Sequence, residues 1–272
     1  MSQIKPISSA CKPVWDKDKC LFQNRGLPSS LRLLIIGSSN CGKSFLLQRL
    51  LLERYLDYNS LYLFTPSLHQ TEYQILIKSF EAELHRENII ALYNNQDKIN
   101  DWQEMIKLVA KKIKEKSDIK VHGYDNNEQI PVTTSIDKTK KNLFIFDDCA
   151  YEKQSNIHSF FSRGRHNNIN CIYLSQSYFQ LPRRSIRANS NCFIFFSLND
   201  RDTQNIWQDI ARVDYPNIED FKALCKDAWS KDHGYLFVDT TKNERKQKYI
   251  INHFDASLPP FPLFPPETSY KE

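Results

Sequence analysis

The stretch LRLLIIGSSNCGKSFLLQRLL, Leu31–Leu51, decides the fold. Its first six residues form an apolar run closed by Gly37, the pattern of a strand buried on both faces of a parallel sheet. Downstream, Leu46, Leu47, Leu50 and Leu51 fall on one face of a helix. Between the two lies Gly37-Ser-Ser-Asn-Cys-Gly-Lys-Ser44, which holds two of the six glycines of the chain. This G-x-x-x-x-G-K-[ST] pattern between strand and helix is a phosphate loop. Its backbone N–H groups converge on phosphates, and the helix N-terminus adds positive partial charge. Gly37, Ser38, Ser39, Asn40, Cys41, Gly42, Lys43, Ser44 and Phe45 are thus expected to bind nucleotide. Lys43 reaches the β- and γ-phosphates and the Ser44 hydroxyl ligates Mg²⁺. Cys41 reads as a small filler, not a nucleophile.

The bulk numbers bound the rest. With 272 residues, 40% hydrophobic and 25% charged, the chain is an ordinary soluble globular protein large enough for one substantial core. No apolar run approaches the roughly 20 residues needed to span a bilayer. The first residues lack an apolar signal region, so an intracellular, non-secreted protein is expected. Seven cysteines, odd in number and without a CxxC pair, read as reduced thiols and not as a zinc site. A net charge of +5 tolerates a nucleic-acid partner without requiring one.

Short runs rich in Ile, Phe and Leu alternate with helical segments: SLYLFT, NLFIFDD, INCIYLSQ and NCFIFFS are strands, whereas TEYQILIKSFEAELHR and DWQEMIKLVAKKIKEK are helices flanking a short strand NIIAL. The expected fold is α/β, a P-loop NTPase of RecA/ASCE-like type with a mostly parallel central sheet flanked by helices. GYLFVD and KQKYIIN suit a hairpin added at the sheet edge. Residues 1–30 read as an irregular lead-in and 31–255 as the ATPase domain. Within that domain 117–141 looks like a polar, exposed insertion, and 256–272 form a Pro-rich tail able to dock as an extended segment.

The metal needs a second anchor. NLFIFDD supplies Asp147 for Mg²⁺ and Asp148 to orient or deprotonate an attacking water, at the carboxyl end of a strand where ligands of such sheets gather. INCIYLSQS ends in Gln176, able to bond both a γ-phosphate and the lytic water. Arg163 and Arg165 lie upstream of that strand and Arg187 downstream. Read as lying beside the carboxyl ends, they point to arginines donated in trans to stabilise transition-state charge in a ring. A basic patch for nucleic-acid phosphates is the other use open to them.

IIGSSNCGKS, LFIFDD and above all FSRGRHNNINCIYLSQSYFQLPRRSIRANSNCFIFFSLNDRD resemble the viral genome-packaging ATPases of the FtsK–HerA branch, the poxvirus type found in large DNA viruses, virophages and Polinton/Maverick elements. The matching segments span Leu31 to Asp202; Asp-Asp stands where many such motors have Asp-Glu. The resemblance implies ATP and Mg²⁺ as cofactors. It also implies a homo-oligomeric ring, pentamer or hexamer, that drives double-stranded DNA into a preformed capsid, a capsid or vertex partner, and work at virus assembly sites or in the virion. A nucleotide or nucleoside kinase is the alternative, with a non-packaging helicase or translocase of the same superfamily, or a non-hydrolysing structural protein. A GTPase is disfavoured because no Asn-Lys-x-Asp occurs.

Overall fold

Parallel strands buried on both faces need apolar residues throughout, and the runs picked out above form the middle of one sheet. In this computed structural model residues 22–95, 99, 101–149 and 156–254 are described; the tail and most of the lead-in lie outside them. The strands are β1 (Arg32–Ile36), β2 (Ser60–Phe64), β3 (Lys120–Tyr124), β4 (Asn142–Asp147), β5 (Ile169–Ser175), β6 (Cys192–Phe195), β7 (Leu236–Asp239) and β8 (Tyr249–Ile251). They run β3-β2-β4-β5-β1-β6-β7-β8 across the sheet. The first six positions are parallel, and β7 and β8 are antiparallel additions at one edge, as the hairpin expectation required.

Alternation along each strand splits the core between two faces. Leu33, Ile35, Leu61, Leu63, Leu143, Ile145, Ile172 and Leu174 meet α1 (Lys43–Leu52), α2 (Thr71–Glu81), α3 (Arg86–Asn94) and α4 (Trp102–Lys112). The opposite face is aromatic. Phe144, Phe146 and Tyr173 pack against Phe160 and Phe161 of α5 (Ile157–Arg163), with Phe144 and Phe160 ring centroids 4.5 Å apart. On that face α6 (Asp200–Ile206) runs into a π-helical turn, Trp207–Ala211, before α7 (Ile218–Ala228); a short α8 (Arg245–Lys248) joins β7 to β8. Burial pushes the thiols of Cys171 and Cys225 up to about 12, so these are inert core cysteines.

Two expectations are corrected. NIIAL is no strand but lies inside α3, where Ile89 and Leu92, three apart, turn to the core. Residues 117–141 are not simply an exposed insertion: Lys120–Tyr124 form β3, in parallel register with β2 from Ser60↔Lys120 to Phe64↔Tyr124. Ile130 and Ile136 beyond it are buried on the aromatic face. Among the described residues no helix is long and apolar enough to cross a membrane.

Candidate nucleotide site

Because β5 lies between β4 and β1, three carboxyl ends meet at one sheet edge. Ile36 pairs with Ser175 and Asp147 with Leu174, and Gly37 N–H donates to the Ser175 carbonyl at 3.1 Å. The loop after β1, the Asp147–Asp148 pair and Gln176 therefore share that edge, as the sequence leads one to expect.

The loop is shaped by close packing. A Cβ on Gly37 would stand 2.4 Å from Cys41 Sγ and 2.7 Å from Phe196 Cβ, so only glycine fits. Cys41 fills the space beneath, and burial pushes its thiol up, in keeping with a filler. Ser38, Ser39 and Asn40 are exposed, and Asn40 turns the chain in the left-handed region at φ 62°. Gly42 precedes α1 at φ 108°, a conformation that glycine alone adopts without strain. Lys43 Nζ donates to the carbonyls of Gly37 and Ser38, each at 2.7 Å, so its ammonium already lies within the loop. Ser44 lies in the first turn of α1, and Phe45 beside it is 67% exposed.

One side chain that local sequence does not mark ties the site together. The hydroxyl of Tyr73, buried in α2, donates to the Asp147 carboxylate and also hydrogen-bonds the Ser44 side chain. Burial, the largest cause, and Asp147 push the phenol's proton affinity up, against the lowering effect of the Ser44 hydrogen bond. Asp147 is itself held above the usual carboxylate range by burial and by neighbouring Asp148, against the opposing effects of Tyr73 and Lys43. Ser44 and Asp147 are thus hard oxygen donors converging on a single oxygen. That arrangement fits a hydrated divalent cation held by one or two protein ligands and completed by phosphate. Among the described residues no group of three His, Cys, Asp or Glu side chains builds a metal cage of its own. In sequence, Tyr73 reads only as one apolar-face residue of α2, with Leu76, Ile77 and Phe80.

Asp148 follows with φ 53°, a left-handed turn directly after the end of β4. Gln176 is exposed at the end of β5. The loop after Gln176 is anchored by Asp202, 1% exposed, whose carboxylate accepts from Ser177 Oγ at 2.9 Å and Phe179 N–H at 2.8 Å. Leaving such buried donors unpaired is costly, which explains an acid at that position.

The arginines do not join this site. Arg163 ends α5, and Arg165 lies in the turn that leads into Ile169, whose partner is Asn142, the first residue of β4. Both therefore sit at the amino-terminal edge of the sheet, opposite the phosphate loop. Both side chains are exposed. Arg187 precedes β6 at the same edge and is buried, with its guanidinium 3.1 Å from Asp209 of the π-helical turn and stacked 4.8 Å from the Tyr178 ring centroid. Arg183 shares Asp209 at 2.9 Å. The expectation that these arginines flank the carboxyl ends is corrected by the chain direction alone: residues leading into a parallel strand lie at its amino end.

A profile of the poxvirus A32 protein family matches residues 20–256. A search of curated protein sequences finds no match. Among solved structures, the genome packaging NTPase B204 from Sulfolobus turreted icosahedral virus 2, in complex with ATP-gammaS, is similar at TM-score 0.51 and 13% identity, covering 82% of this chain and 96% of that one. The same protein with AMPPCP gives TM-score 0.48 and 15% identity over 80% of this chain and 95% of that one. VirB4 of Thermoanaerobacter pseudethanolicus gives 0.45 and 12% over 80% and 88%. At such identities the likeness is one of fold, and it rests on the ATP-gammaS complex.

Proposed function

The chain belongs to the poxvirus A32 protein family, and from that membership and the site together we propose that it is an ATP-hydrolysing motor that translocates double-stranded DNA into a preformed viral capsid. One observation carries the hydrolytic part: with β5 between β4 and β1, Gln176 stands between the phosphate loop and the carboxylate pair. A residue there can contact a γ-phosphate and the attacking water together. B204, described as a genome packaging NTPase, shares the fold and is consistent with this reading.

The roles follow from position. The loop from Gly37 to Phe45 holds ATP, with Lys43 on the terminal phosphates. Ser44 and Asp147, kept in register by Tyr73, would hold Mg²⁺, which neutralises phosphate charge when bound with the nucleotide. Asp148 orients or deprotonates the water. Arg163 and Arg165, exposed at the amino-terminal end of the strands, would face a neighbouring subunit of a pentameric or hexameric ring or DNA phosphates. Arg187, committed to Asp209 and Tyr178, stiffens its own protomer. A capsid or vertex protein is the expected docking partner at assembly sites in the infected cell, and the Pro-rich tail, which lies outside the described residues, is a candidate contact.

Hydrolysis measured with and without double-stranded DNA tests the reading. The expected result is turnover stimulated by DNA of any sequence without a phosphoryl acceptor. DNA affinity should fall with salt at a log–log slope of about −0.9 per neutralised phosphate. Turnover that requires a nucleoside would make the protein a kinase instead.

A further inference from the structure

We propose that His233, in the turn between α7 and β7, is a positioning residue that sets the phosphate loop in its anion-binding conformation; this rests on the nucleotide-binding reading of Gly37–Ser44. His233 Nδ1 lies 3.1 Å from the Cys41 carbonyl oxygen, a contact spanning 192 residues. A carbonyl only accepts, so Nδ1 carries the proton and donates. The ring also rests on the next residue: a Cβ on Gly42 would stand 3.2 Å from Nδ1 and 3.5 Å from His233 Cβ and Cγ.

The peptide unit between Cys41 and Gly42 is planar, and the chain has no cis bond among the described residues, so its N–H points opposite to its C=O. Bonding the carbonyl to the imidazole therefore turns the Gly42 N–H away from His233, into the loop that Lys43 spans. A rotation of that unit would aim a carbonyl at a bound phosphate and remove one donor from the cradle. Gly42 at φ 108° has the freedom to make that rotation, which is why an external clamp matters here.

The clamp is rigidly mounted. His233 itself has φ 57°, and Gly234 N–H donates to Lys231 at 2.9 Å. A Cβ on Gly234 would stand 2.3 Å from the Ala228 carbonyl oxygen, so the turn is pressed against the end of α7. On one side Trp229 Nε1 donates to the Phe195 carbonyl at 2.9 Å; on the other, Tyr235 N–H donates to Asn252 Oδ1 at 2.8 Å. The hairpin edge of the sheet thus reaches back to the phosphate loop through the His233 turn.

Two substitutions separate the donor from the turn. His233→Gly removes the ring at a φ that glycine adopts freely. His233→Asn keeps an N–H donor one atom beyond Cγ, where Nδ1 stood, in a residue that tolerates φ 57°. Binding of a fluorescent ADP analogue in EDTA reads the loop without metal or turnover. His233→Gly is expected to weaken binding about tenfold, as loss of one positioned donor implies, with an unchanged melting temperature, and His233→Asn to stay within about twofold of wild type on the same grounds. Wild-type affinity in the glycine variant, or an asparagine variant as weak as the glycine one, overturns the proposal. If neither variant folds, ¹⁵N NMR of wild-type imidazoles decides: an Nδ1–H tautomer at His233 supports the clamp and an Nε2–H tautomer refutes it. A wild-type protein that binds no ADP overturns the nucleotide reading as well, whereas binding abolished in Lys43→Ala but untouched in His233→Gly removes only His233.

Discussion

Lys43→Ala is expected to lower kcat for ATP hydrolysis by about a thousandfold and to weaken nucleotide binding, the scale for removing a charged donor from a developing phosphate charge. Its ammonium lies within 2.7 Å of two loop carbonyls, Gly37 and Ser38, and is thereby held where terminal phosphates would sit. The variant should keep its fold, since Lys43 is half-exposed and lies outside the apolar core. Steady-state hydrolysis beside nucleotide titration measures both effects. Turnover within tenfold of wild type would mean that the loop is not the catalytic phosphate cradle.

Asp148→Asn separates chemistry from binding. Asparagine keeps the shape of the side chain and tolerates the left-handed φ of 53°, so the turn after β4 should survive. What is lost is a carboxylate able to take a proton from water, worth about 10²- to 10⁴-fold in rate. Nucleotide affinity should stay near wild type, because Lys43, Ser44 and Asp147 are untouched. Wild-type turnover in this variant would transfer the base role to another group.

Much of this architecture was legible in the chain because buried parallel strands announce themselves. β1, β4 and β5 are buried on both faces and lead directly to the residues that matter: Gly37 and Gln176 just after β1 and β5, and Asp147 at the end of β4. β3 was illegible for the opposite reason: Lys-Val-His-Gly-Tyr has no fully buried side chain and no apolar run, and its place is set by the backbone ladder with β2 together with Val121 and Tyr124, which pack only partly against the core. NIIAL, a short apolar run, fits a strand or a helix by pattern alone, and core contacts of Ile89 and Leu92 decide for the helix. Arg163, Arg165 and Arg187 were misplaced because nearness in sequence to a strand was read as nearness to its carboxyl end; all three precede strands. Tyr73, Asp202 and His233 act across the fold, at separations of 74, 23–25 and 192 residues, and nothing local distinguishes them from a core tyrosine, a helix-start acid and a surface histidine. The family resemblance, read over Leu31–Asp202, extends in the profile match to 20–256 and so takes in the β7–β8 hairpin that carries the His233 turn.

The central claim is movement along DNA driven by hydrolysis, and displacement of a triplex-forming strand from a linear duplex measures it directly. With ATP, the third strand should be released after a lag that lengthens with its distance from the loading end. Release should fail with a non-hydrolysable analogue and with Lys43→Ala. DNA-stimulated hydrolysis that leaves the triplex in place, at every distance, would contradict the motor.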